Sequence, residues 1–367
     1  MGAQQQERCR RRVRRPGPRL AVVPLAASLV LLLPGVATSA DPVPGGRPTA
    51  PALGGSSTYC QLDDPMINES SGLAVSTRDP SRLWTHNDSG DTARIFALGA
   101  PRKDRCPTLG VVRLAGVDAF DAEDLAAGPG HTLWLADIGD NIGQRSRIVL
   151  DRVVEPETIS GEVEVPAARF RFSYPDEPHD AEAVLVAPSG QVVVVTKGST
   201  SKPRIYAAPG RPATPGTSAP PAAVPLIGHG ELNAPGAGGT FSAITGGAVS
   251  PDGRLVVLRT YLGAYLYPVV GDDLVGALLA APRSVSLPPQ PQGESVAFTT
   301  DGRALLVSSE GVDSPVLRIP LVSGDGDGGV VGSLVGTKGS RRPLVITVVV
   351  AAVVLGLALA FFRRRRR

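Results

Sequence analysis

The chain has 367 residues and a formal net charge of +3, and only 4% of its residues are aromatic. Setting aside the seven arginines and Glu7 of residues 1–40, and the eight basic residues of 338–367, leaves 41–337 with 22 basic against 33 acidic residues, a net −11. An acidic central part speaks against nucleic acid or anionic lipid as its ligand and leaves cations open.

In chain order, residues 1–40 come first. They combine an arginine-rich start, an apolar run Leu20–Leu33, Pro34, and small residues ending in Thr38 and Ala40. That is the layout of a secretory signal peptide, with an apolar core too short to span a bilayer. The run RRRVRR leaves export by the general or the twin-arginine route open. Residues 41–56 are Pro/Gly-rich and are expected to be a flexible lead.

The next 266 residues, 57–322, are ample for one core or a repeat array. An acid or small residue, an apolar run, turn residues and a second apolar run recur five times. The copies start at Ser71 (SGLAVSTRDPSRLWTHND), Glu123 (EDLAAGPGHTLWLADIGDN), Glu182 (EAVLVAPSGQVVVVTKG), Gly247 (GAVSPDGRLVVLRTY) and Glu294 (ESVAFTTDGRALLVSSEG). Their spacings are 52, 59, 65 and 47 residues. The connections PSG, PDG and TDG are hairpin chemistry, with glycine available for positive φ.

Two further strand-like runs follow each of the first four copies: ARIFALG and GVVRLAG, RIVLDRVV and ARFRFSY, RIYAAP and AVPLIGH, AYLYPVV and RSVSLP. LVGALLAA (274–281) fits a helix or a strand equally. The fifth copy has only PVLRIPL, and the missing outer strand can come from STYCQLD (57–63) at the other end. Hairpins sustained without helices predict an all-β fold, a β-propeller of five four-stranded blades, six remaining open if a long repeat hides another blade. Closing the ring in this way removes exposed sheet edges. Cys60 then lies at the seam, and Cys60 and Cys106 form an even pair suited to a disulfide in an oxidising compartment, two free thiols being the alternative.

Residues 323–342 are Gly-rich and read as a stalk. The segment 343–362 reads as a transmembrane helix: Leu344–Phe362 is nineteen uncharged residues, roughly 28 Å as a helix. The basic tail 363–367 stays cytoplasmic, which places the propeller outside the membrane of a single-pass protein. No LPxTG-type sorting motif precedes the span, so a retained membrane anchor is expected, with the lipid bilayer as its partner.

In a propeller, the start of each inner strand and the end of the second strand share one face. That face would gather Glu69, Asp121, Glu123, Asp180, Glu182 and Glu294 from strand starts, and Asp88, Asp137, Lys197, Arg259 and Glu310 from second-strand ends. Nearby turns add Asp91, Asp140 and Asn141. The first six are candidate metal ligands and the next five a ligand-binding rim. Carboxylates suit a hard cation, Ca²⁺ above all, without an EF-hand pattern. The alternative is that acids at strand starts accept backbone N–H groups from the neighbouring blade.

No catalytic residue is assigned. There is no GxSxG elbow and no zinc-ligand spacing. His86 in THNDSGD is read as a hydrogen-bonded turn histidine, because Ser89, His86 and Asp88 are too close in sequence to form a spatial triad.

INESSGLAVS, LWTHNDSGD, DAEDLA, LWLADIGDN and DAEAVLV resemble exported bacterial β-propeller proteins grouped with the "esterase-like activity of phytase" and WD40-like propellers. The resemblance covers about 65–322 and is most specific in the first three repeats. In propeller phytases, Ca²⁺ and basic residues at the channel mouth hold phosphate; here only Lys197 and Arg259 are basic candidates. The expectation is a membrane-tethered extracytoplasmic binding or scaffolding module, possessing a Ca²⁺ site at the acidic mouth, whose partner is an envelope protein or a small anionic ligand and not nucleic acid. The alternative is a Ca²⁺-dependent phosphoesterase or esterase.

Overall fold

The computed structural model describes residues 48–88, 90–212, 222–239 and 242–322. The signal peptide, stalk, membrane span and basic tail expected from the sequence lie outside the described residues. No helix among the described residues is long and apolar enough to cross a membrane.

Five β-sheets, antiparallel except for one added outer strand in each of two, form the blades of a propeller. Their inner strands are Ser70–Val75, Ala122–Gly128, Ala181–Val186, Ile244–Val249 and Gly293–Phe298. Each contacts the next, and the fifth contacts the first. The second strands are Leu83–Asn87, Thr132–Asp137, Val192–Thr196, Leu255–Thr260 and Ala304–Ser309. The strands fall where the repeats put them, and four of the five inner hairpins turn on a glycine in the left-handed region: Gly130, Gly190, Gly253 and Gly302 have φ of 71°, 87°, 70° and 66°. Between the sheets, side chains such as Trp84, Leu125, Leu185 and Val307 are fully buried and form the inter-blade cores.

The ring closes between the two ends of the sequence. Ser57–Leu62 pairs with Ser314–Val322, supplying the outer strand of the fifth blade. Cys60 and Cys106 are disulfide-bonded. The lead differs from expectation in its described part. Ala52–Leu53 pairs with Val322 and Leu321, and Ala50 is buried, so 48–56 is built onto the last blade. The carboxy-terminal strand offers an unpaired edge there, and a short apolar run covers it.

The long repeats contain no sixth blade. The second spends its extra length on Gly161–Pro166, which pairs in parallel with the outer strand Thr108–Ala115 of the first blade. The third spends it on Val224–Pro225, which pairs in parallel with Ala168–Ser173 of the second. In the fourth, LVGALLAA contributes the short helix Leu274–Leu278, capped by Asp273 accepting from the Gly276 amide.

One irregularity recurs at the start of every inner strand. The register shifts between Ser70 and Leu73, Ala122 and Asp124, Ala181 and Ala183, Ile244 and Gly246, and Gly293 and Val296. These are β-bulges, which re-aim side chains at the point of the extra residue. Glu123, Glu182 and Glu294 sit on them.

Candidate functional site: an acidic channel mouth

Of the residues at the bulged strand starts and second-strand ends, the structure brings Asp88, Asp121, Glu123, Asp180 and Glu182 together. Two groups of three carboxylates form: Asp88, Asp121 and Glu123, and then Glu123, Asp180 and Glu182. Within each group one oxygen per residue lies within 4.8 Å of the others, and Glu123 belongs to both. Glu69 and Glu294 fall in neither group. Glu69 stands behind Asp88 and Asp91, and Glu294 near Glu182 and Glu310.

The cations are arranged differently from expectation. Lys197 is at the mouth, in contact with Glu182 and 3.9 Å from Asp180. Arg259 is not on the rim: it is 1% exposed and runs inward between the fourth and fifth blades. Asp137 is also withdrawn, paired with Arg145 at 2.8 Å and accepting the Asp121 amide. Arg145 is a cation of this face that repeat alignment did not reveal, because it lies in the irregular loop 138–147. Two other residues went unplaced: Tyr261, whose phenol lies in the field of Glu294, Lys197, Glu182 and Glu310, and Gly139. A Cβ on Gly139 would collide with Glu123 Oε1 and Asp121 Oδ2, so the backbone passes directly beneath both carboxylates. The Tyr and Gly types carry no spacing signal.

The mouth acids differ from the chain's structural acids in one respect. Asp124 is buried in the same strand, yet accepts from the amides of Leu125, Val184 and Gly247, tying three blades together. Asp151 accepts Arg169 Nε at 3.0 Å and Nη2 at 2.9 Å. Glu155 accepts from Ser76, from Thr77 through both amide and hydroxyl, and from Trp84 Nε1. Buried carboxylates are held by donors in this way. Glu123 is 4% exposed and Asp121 6%, yet neither carboxylate accepts a hydrogen bond or forms an ion pair among the described residues. The expected bracing of acids by neighbouring backbone fits Asp124 and, through the Asp140 amide, Asp180; it does not fit Glu123.

The electrostatics follow. Burial, then the charges of Asp88 and Asp180, push the pKa of Asp121 up to about 6. Burial and Glu182 raise Glu123 well above the ordinary carboxylate range. Burial lifts Glu182 to about 8 against the pull of Lys197. Glu310 also rises to about 8, through burial and then Asp88 and Glu69. Burial works to lower Lys197, but Glu182, Tyr261 and Asp180 outweigh it, so the ammonium is held.

These raised acids set a pH dependence. A carboxyl whose pKa is higher folded than unfolded binds more protons when folded between those two values, so stability falls as pH rises through that window. From Asp121, Glu182 and Glu310 the window runs from the ordinary carboxylate range to about 8. In EDTA the chain is expected to melt at a higher temperature at about pH 5 than at about pH 8. Equal melting at both would mean that the acids do not repel one another as placed.

His86 is buried, with Nδ1 2.7 Å from the Asn87 carbonyl and Nε2 packed over Gly72. Burial lowers its pKa, and it faces no described hydroxyl nucleophile. A cavity of about 300 Å³ lies at the opposite mouth, lined by residues that include Leu73, Leu125, Val186, Val249 and Phe298 and by no charged side chain. It is remote from the carboxylates.

Fold and mouth together define a five-bladed β-propeller with an acidic channel entrance. No known protein family matches the chain, and no curated protein does. Among solved structures it is similar to a putative 6-phosphogluconolactonase from Bacteroides uniformis, at 15% identity over 72% of this chain and 71% of that one, with a TM-score of 0.36. It is also similar to the RRP9 WD40 repeats, at 12% identity over 74% and 99% of the two chains, with a TM-score of 0.37.

Proposed function

We propose that the chain is a binding module that works through its acidic mouth, and that the mouth takes a divalent cation, Ca²⁺. The observation that carries this is Glu123: a carboxylate only 4% exposed that accepts no hydrogen bond among the described residues and is shared by two groups of three. Calcium–oxygen distances of about 2.3–2.6 Å put opposite ligands of one ion about 4.6–5.2 Å apart. Oxygens within 4.8 Å of one another fit that span. A bound dication would replace the protons that the raised acids otherwise retain.

In this proposal the propeller is carried outside the membrane on the span 344–362. The buried disulfide suits such a compartment. Protease digestion of intact cells, removing the propeller and leaving the tail, tests the topology. The surplus of carboxylates favours a cationic over a small anionic ligand. Phosphoester hydrolysis has less support, because Lys197, Arg145 and Arg259 are each engaged by protein groups. Calcium-dependent release of phosphate from a phosphoester, abolished in Glu123→Gln and Lys197→Met, would reverse that preference.

The direct test is the melting temperature of the purified chain in about 10 mM CaCl₂ and in EDTA. A site with a Kd of about 0.1 mM would add about 2.7 kcal/mol. An unchanged melting temperature sinks the ion site. Gly139→Ala sharpens the test, since its methyl must displace Glu123 and Asp121. The calcium-dependent rise is expected to fall by more than half, with stability in EDTA changed by less than about 1 kcal/mol, because the side-chain tips can move. A full calcium response in that variant would place the ion elsewhere.

A further inference from the structure

We propose that the acidic mouth and the apolar side chains around it form a docking surface for a protein segment that presents a lysine or arginine flanked by apolar residues. It rests on the mouth being a receptor for positive charge, and not on that charge being a metal ion.

The chain leaves several large apolar side chains in water. Among the described residues Ile142, Phe120 and Leu262 are the most exposed large apolar side chains, at 74%, 71% and 68%; Val312 reaches 56%, as does Val154 at the far end of its strand, away from this face. Ile142, Phe120, Leu262 and Val312 stand on the acidic face. Phe120 directly precedes Asp121, lines a crevice with Asp88, and carries the Arg145 guanidinium 5.3 Å from its ring centre. Ile142 is in the loop that holds Asp140 and Arg145. Leu262 follows Tyr261, whose phenol faces Glu294 and Lys197. Val312 lies two residues beyond Glu310, in a loop tied by the Gly311 amide to the Asn68 carbonyl beside Glu69. Single exposed apolar residues need no explanation, but their gathering on one face marks an interaction site.

Charge selects the occupant. Lys197 is paired with Glu182 and Asp180, and Arg145 with Asp137, while the carboxylates of Asp121 and Glu123 feel these cations only at a distance and accept no hydrogen bond and form no ion pair among the described residues. An acidic partner would be repelled, and a wholly apolar one would leave these carboxylates desolvated and unpaired. An ammonium or guanidinium at the centre supplies donors, and apolar flanks rest on Phe120, Ile142 and Leu262. That is the anatomy of a hot spot, a desolvated centre ringed by contacts that exclude water.

The test is selection of a random heptapeptide phage library on the immobilised full chain in EDTA, with counter-selection on the triple variant Phe120→Ser, Ile142→Ser, Leu262→Ser. These side chains are exposed, so the variant is expected to keep the wild-type melting temperature. The expected result is enrichment of sequences with a lysine or arginine between apolar residues. A synthetic peptide of that sequence should bind about tenfold more weakly to the triple variant and to Glu123→Gln. Absence of enrichment, enrichment without a basic residue, or equal binding to the triple variant overturns the docking surface. If calcium raises the melting temperature and no basic apolar motif emerges, docking fails and the ion site stands. A basic apolar motif without a calcium response gives the reverse.

Discussion

Replacing Arg259 by methionine is expected to lower the unfolding free energy by about 3–5 kcal/mol, from the acceptors it leaves without a donor. Arg259 lies on the second strand of the fourth blade and is 1% exposed. Its Nη1 donates to the carbonyls of Ser295 at 2.7 Å and Ser308 at 2.8 Å, both in the fifth blade. Its Nη2 donates to Gln290 Oε1 at 2.7 Å. Gly293 leaves room for the guanidinium, since a Cβ there would collide with Nη2. Burial draws its pKa down to about 10, with Glu294 opposing, so it is still cationic at neutral pH. Methionine keeps much of the volume but leaves two buried carbonyls, worth about 1–3 kcal/mol each, and the part-buried Gln290 Oε1 without this donor. Lysine keeps the charge and reaches fewer acceptors, so it should recover part of the loss. Urea unfolding of the purified chain checks this: the midpoint should drop with the slope unchanged. A loss below about 1 kcal/mol would mean that the fourth and fifth blades are not held by this side chain.

Arg259 also shows where sequence reading stops. Its position, at the end of a second strand, was legible from the repeat. Its direction was not, because Val256–Thr260 is buried on both faces, so polar–apolar alternation does not tell the strand's two faces apart. The bulges sit in the partner strands at Glu123, Glu182 and Thr245, where nothing in residue type announces them. The same limit separates Asp124 from Glu123. Both are acids in one short stretch; one is satisfied by three amides and the other by none. What the sequence did show was local chemistry repeated five times, paired apolar runs of strand length joined by turn residues, with a glycine in four of the five hairpins and an acid at the strand start in every copy but the fourth. The missing outer strand of the fifth copy was legible by subtraction, and Ser57–Leu62 fills it. Arg145 and Gly139 were not legible, because their loop 138–147 has no counterpart in the other blades to align with. The parallel addition of Gly161–Pro166 was hidden for a related reason: it serves the blade before its own.

Removing the Cys60–Cys106 bond is expected to cost about 4 kcal/mol, from the loop-entropy relation applied to the sequence separation of 46 residues. The position matters as much as the magnitude. Cys60 lies on the strand that closes the ring, and Cys106 lies between the third and outer strands of the first blade. Around the bond, the Gln61 amide donates to the Asp104 carbonyl at 2.7 Å, the Cys106 amide donates to the Gln61 carbonyl at 3.1 Å, and Arg105 pairs with Asp63. The disulfide therefore fastens the outer strand of the last blade to the first blade, across the seam where the two ends of the propeller meet. Local opening begins where few covalent or packed links hold an element, and a closing strand is such a place. In the Cys60→Ser, Cys106→Ser variant the amides of Ser57–Leu62 should lose hydrogen-exchange protection first, with the inner strands little changed. Both cysteines are buried, at 0% and 1% exposure, so a reductant reaches the bond only after the seam opens. The rate of reduction in the native chain should then match the exchange rate of the Ser57–Leu62 amides. Uniform loss of protection through all five blades would show instead that the ring opens only by unfolding as a whole, and that the bond acts on the unfolded chain alone.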